Sequence, residues 1–252
     1  MAFDESIIER SVAEPSASAL QDAVSTSVDE ATASAPSLTE DLALLLLKRN
    51  DLPAEILERV SKNGAVAKGR KVRLALVKHP RTPRHVSMPM LRHFYTFDLM
   101  QVALAAAVPA DVKLAAEETL IHRMEAISIG EKLSLARRAS GRISGELLLD
   151  PEPRVVSMAL ENSRLTEATV IKVLMRQDTP AKFVQMVCHH PKWSVRREIR
   201  IALLRNEKTS LARALEFARS LPAPLIFEIL QASRLPTHIK AHLLREVNGV
   251  EP

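Results

Sequence analysis

Residues 150–162, DPEPRVVSMALEN, and residues 192–206, KWSVRREIRIALLRN, follow one outline. A polar turn leads into Arg154-Val155 in the first and Val195-Arg196 in the second. An apolar-periodic run then ends at Asn162 or Asn206. At about 100° per residue, Val195, Ile199, Ala202 and Leu203 occupy one arc and predict a buried stripe, with Arg196, Arg197 and Arg200 on the adjoining arc. Neither stretch alternates as a half-buried strand would. Two short helices closed by polar turns place the chain in the all-α class.

The turns repeat elsewhere. Leu47–Ala54 (LKRNDLPA) matches Leu174–Ala181 (LMRQDTPA), and Val77–Pro83, Leu160–Thr166, Leu204–Ser210 and Leu230–Pro236 share its plan. Arg138–Ser144 is a weaker copy, and His79-Pro80-Arg81 echoes His190-Pro191-Lys192. Pro53, Pro83, Pro109, Pro180 and Pro236 each open a periodic run, where a missing N–H costs nothing. Thr82 and Thr179 are candidate N-caps. Ser37 with Glu40, and Ser128 with Glu131, have capping-box spacing.

This turn–helix–turn–helix pattern resembles the HEAT-like and leucine-rich-repeat-variant α-solenoids. In those, an Asp-Pro or Asn-Pro turn precedes a helix that carries Val-Arg and ends near Asn. The likeness is clearest over residues 44–91 and 150–245 and thins over 96–143. It implies an α-solenoid, a right-handed superhelix of short antiparallel helix pairs. The physical logic agrees: a lone short pair cannot hide its apolar face, and stacking buries a continuous seam. Turns from successive repeats would then line up as a ridge.

Among 252 residues, 46% are hydrophobic and 26% charged, enough apolar side chains for a sizeable core. Residues 1–36 are rich in Ser, Ala and acids and predict a disordered tail; residues 37–252 form the expected repeat domain. The net charge of +5 hides a split. Residues 1–41 hold nine acids against Arg10 alone, a net of −8, and the remainder carries a net of +13. Between Glu58 and Asp98 there is no acid, yet ten bases occur. Such an unopposed run sets up a local positive potential. The candidate binding residues are therefore Lys71, Arg73, Lys78, Arg81, Arg84 and Arg92, joined by Lys192, Arg196, Arg197 and Arg200. Guanidinium forks suit phosphate or carboxylate, and pairing with acids on an adjacent repeat is the competing explanation.

One cysteine, Cys188, excludes a disulfide framework and any Cys-pair zinc site. Cys188-His189-His190, and His238 with His242, lack a converging third or fourth ligand, so no metal is expected. No GxSxG segment, HExxH pattern or glycine-rich phosphate loop occurs, and no catalytic residue is nominated. Trp193, the single tryptophan, reads as a core plug, and Phe94, Tyr95 and Phe97 as a packed helix corner. The acidic start and the short apolar runs predict a soluble, cytoplasmic chain without a membrane span.

The expected function is a non-enzymatic scaffold or adaptor that holds a protein partner through its basic ridge, with no cofactor and no small-molecule substrate. A nucleic-acid or ribosome-binding module using the same cations is the alternative. A HEAT-type DNA glycosylase-like repair enzyme is a distant third, because its site needs flanking tryptophans that this chain lacks.

Overall fold

The computed structural model describes residues 28–247. All regular structure among them is helical, and none of the described helices is long and apolar enough to cross a membrane. The chain divides into two compact units, one formed by residues up to 90 with 107–109, the other by residues 91–106 with those from 110 onward.

In the first unit a helical segment, residues 28–34, is followed by α1 (Glu40–Leu46), α2 (Ala54–Lys62), α3 (Arg70–Lys78) and α4 (Arg84–Leu91). Its core gathers Ala33, Leu46, Ile56, Leu57, Val72 and Leu76. Ordered structure thus begins upstream of Ser37. Ala33 is fully buried, and Asp29 pairs with Arg49 at 2.8 Å. The expected boundary at residue 36 is too late, since small Ala side chains let residues 28–34 pack although few large apolar groups are present. The disorder expected for residues 1–27 lies outside the described residues. Thr39, not Ser37, caps α1, accepting from the Leu42 N–H.

The second unit holds α5 (Thr96–Leu104), α6 (Ala110–His122), α7 (Ile129–Arg138), α8 (Gly141–Leu147), α9 (Pro153–Leu160) and α10 (Glu167–Leu174). It continues with α11 (Ala181–His189), α12 (Arg197–Arg205), α13 (Leu211–Arg219), α14 (Ala223–Gln231) and α15 (Thr237–Val247). From α6 onward, packing recurs between a helix and the next but one: α6 on α8, α7 on α9, α8 on α10, α9 on α11 and α10 on α12. The Ser128–Glu131 capping box forms as expected at the start of α7. Hydrogen bonds from Thr96 and from Ser128 hold the Glu131 carboxyl below its ordinary pKa.

The turns reveal a shared hydrogen-bond plan. At residues 63, 79, 162, 190 and 206 the side chain accepts from the backbone N–H two residues on, at Ala65, Arg81, Arg164, Lys192 and Lys208. The far side of the same group reaches an earlier helix end. Asn63 donates to the carbonyls of Ala33 and Ala35, Asn162 to those of Ala136 and Ala139, and Asn206 to that of Leu174. His79 Nε2 lies 2.7 Å from the Arg49 carbonyl oxygen. His190 Nε2 lies 3.0 Å from Glu161 Oε1 but is out of line for a hydrogen bond. The three asparagines and His79 thus satisfy carbonyls left open at or just beyond helix ends.

Three threonines complete the turn. Thr82, Thr179 and Thr209 donate to the carbonyls of Leu76, Val173 and Leu203, each six residues earlier, at 2.5–2.6 Å. Thr82 and Thr179 therefore close the preceding helix and do not cap the next one as expected; the N-cap of α11 is Pro180. A buried hydroxyl must donate to an acceptor, and the open carbonyl of the preceding helix lies within reach behind it.

Gly141 and Gly145 on α8 mark the tightest approach. A methyl group at Gly141 would collide with the Arg164 carbonyl oxygen, and one at Gly145 with the Thr169 methyl. Alanine in a helix is normally favourable over glycine by about 1 kcal/mol. Here Gly141→Ala is expected to destabilise by about 1–3 kcal/mol, because the obstacle is backbone. Gly145→Ala should lose less, since a side chain can shift. Urea titrations of both variants check the order.

Candidate partner-binding surface

The ten cations expected at the binding surface fall into two groups. Several act inside the fold. Arg73 Nε donates to the Ala67 carbonyl at 2.8 Å, and Arg200 Nε to that of Ser194 at the same distance. The two arginines thus play the same part, each six residues after its acceptor. Arg81 Nη1 donates at 2.6 Å to the Asp51 carbonyl and Lys208 Nζ at 2.6 Å to that of Thr179, both in turns ahead of the next helix. Arg164 donates to the carbonyl of Arg138, the last residue of α7. Only at Arg138 does the negative end of a helix dipole favour the cation.

Trp193 organises a second set. Its ring is fully buried and its Nε1 donates to the Leu160 carbonyl at 2.9 Å, as a core role requires. The Lys192 amino group stands 4.3 Å from the ring centroid and the Arg196 guanidinium 5.3 Å. Both distances are within cation–π range. Arg196 also pairs with Glu167 at 2.8 Å, an acid on the neighbouring α10. Arg84 is engaged as well.

Lys71, Lys78, Arg92 and Arg197 hold no ion pair among the described residues. Lys71, Arg92 and Arg197 are exposed and Lys78 is half-buried. Two corrections to the Arg196 stretch follow. The helix begins at Arg197, so Arg196 is its N-cap residue rather than part of an arc. Val195, expected in the buried stripe, is 62% exposed because it precedes that helix; Ile199, Ala202 and Leu203 are buried as expected.

In the first unit Lys71 and Lys78 border a groove of about 770 Å³ between α1 and α3. Leu42, Leu45 and Leu74 form its apolar wall, and Lys48 adds a third cation. Leu42 and Leu45 are 50% and 61% exposed. This groove is not among the surfaces expected from the sequence. Its signal was available: six successive apolar residues on a helix cannot all face one side. Ala43, Leu46 and Leu47 turn to the core, and Leu42 and Leu45 are left outside.

Other candidates carry less chemistry. Burial pushes the Cys188 thiol up to about 11, so it is not an activated nucleophile. No group of three or more His, Cys, Asp or Glu among the described residues is disposed to hold a metal ion. Asp51 and Asp178 sit below the usual carboxylate range because Arg49 and Arg176, two residues earlier, hydrogen-bond them. Phe94 is buried, whereas Tyr95 is exposed and Phe97 partly so, and the expected aromatic corner is only partly packed.

The described residues form an all-α protein with recurrent polar turns, an apolar groove in the first unit and a few cations that hold no ion pair among them. No protein-family model, curated protein or solved structure matches the chain.

Proposed function

We propose that the chain is a non-enzymatic helical-repeat scaffold of the HEAT-like or leucine-rich-repeat-variant kind, working in the cytoplasm and holding a partner protein. The observation that carries this reading is the division of its cations. Guanidinium groups suited to phosphate, those of Arg73, Arg81, Arg196 and Arg200, are turned onto carbonyls or Glu167. Lys71 and Lys78, with no ion pair among the described residues, stand beside exposed leucines. A polyphosphate track would use most of its arginines; of the seven among these ten cations, only Arg92 and Arg197 are exposed without a side-chain hydrogen bond or ion pair among the described residues. The repeated turn chemistry and the packing of alternate helices support the repeat reading.

The test is capture from lysate on the immobilised chain, with and without nuclease, across a salt series. A partner protein retained after nuclease and only weakly sensitive to salt is the expected result. Loss of all bound material on nuclease treatment, with binding falling by orders of magnitude over a few-fold rise in salt, would establish the nucleic-acid alternative.

A further inference from the structure

The groove between α1 and α3 has a chemistry that selects its occupant. On α3, Val72, Leu76 and Val77 enter the core, while Lys71, Leu74, Ala75 and Lys78 recur at i, i+3, i+4 and i+7 along the groove wall. The facing wall comes from α1 and its end, with Leu42, Leu45 and Lys48. Two leucine-bearing walls with a trough between them accept an apolar helix face, the way amphipathic helices seat in grooves.

Charge narrows the choice. Three lysines border the groove against a single acid, Asp41. Lys71 and Lys78 lie seven residues apart, or about 10 Å along the helix axis. Carboxylates two turns apart on a docked helix would meet both. Ammonium groups on long stems adapt to such carboxylates without a fixed fork geometry. Phosphate would satisfy the lysines but leave Leu42 and Leu45 facing a polar backbone.

We propose that this groove binds an acidic amphipathic helix of the partner protein, with apolar residues at i, i+3 or i+4 and i+7 flanked by Glu or Asp. The assignment rests on the scaffold reading above and names the partner's chemistry at that surface.

The experiment titrates the full chain into a fluorescein-labelled helical peptide of about 16 residues, with Leu at those positions and Glu beside them. Companion peptides replace Glu by Lys, or Leu by Ser. The acidic peptide should bind and both companions should not. The Lys71→Glu/Lys78→Glu variant should lose at least about tenfold in affinity for the acidic peptide and gain affinity for the lysine peptide. Both positions point away from the core, and circular dichroism verifies that the variant is folded. The Leu42→Gln/Leu45→Gln variant should weaken the acidic peptide without reversing the preference.

Equal binding of acidic and lysine peptides, or no binding, overturns the proposal. So does binding that appears only when Asp4, Glu5 and Glu9 are changed to Asn and Gln, which would assign the groove to the chain's own acidic segment. If the peptide fails while a nuclease-resistant protein is still captured from lysate, only this inference falls and the scaffold reading stands.

Discussion

Replacing Trp193 by alanine is expected to destabilise the second unit by about 3–5 kcal/mol, the range for emptying a large aromatic site. The side chain is fully buried, and its indole N–H satisfies the Leu160 carbonyl. Its loss leaves a cavity, an unpaired buried acceptor, and two cations, Lys192 and Arg196, without the ring they stack on. Trp193→Phe keeps most of the apolar contact and loses the N–H, so its cost should be nearer about 1–2 kcal/mol. Urea unfolding followed by circular dichroism gives both values. Equal losses for the two variants would mean that the hydrogen bond, not the packing, holds the site.

The second large effect is expected at Asn162, through pH. Its Nδ2 donates to the carbonyls of Ala136 and Ala139 and to Ser144 Oγ, and its Oδ1 accepts from the Arg164 N–H. The residue is 2% exposed. Asn162→Asp keeps the shape but sets a carboxyl oxygen against carbonyl oxygens. Only the protonated acid can donate there, so its pKa in the folded state should rise above the ordinary value of about 4. A folded state that binds the extra proton is favoured at low pH. The variant should therefore approach wild-type stability below about pH 4 and lose roughly 3 kcal/mol by neutral pH. Asn162→Ala has no titrating group, and its loss should not vary with pH. A constant difference between Asn162→Asp and wild type across that range would contradict this account of the turn.

Much of the fold was legible because the signals were local. Prolines and the Ser128–Glu131 pair mark helix starts by backbone chemistry alone, and they fall where expected. Three of the similar turn sequences share a hydrogen-bond plan, through Asn162, Asn206 and the His79 ring, and Asn63, outside those turns, shares it too. The direction of each bond was not legible. Thr82 and Thr179 stand one residue before a proline and read as caps, yet they bond backward. Which carbonyl lies within reach of a hydroxyl depends on the turn's path, and sequence spacing does not encode that path.

The candidate surface divides in the same way. Charge counts name the cations as a population and do not separate those bonded inside the fold from those in no ion pair among the described residues. Arg81 and Lys78 are three residues apart in one acid-free run. One closes the turn at Asp51, and the other borders the leucine groove. Sequence alone determined that the chain is helical and where most helices begin, because capping, proline geometry and apolar period act within a few residues. Tertiary structure decided which basic side chains are consumed by carbonyls about 30 residues away and that Leu42 and Leu45 stay outside the core. Those outcomes follow from which helices become neighbours, and a helix face is apolar or basic regardless of what is placed against it.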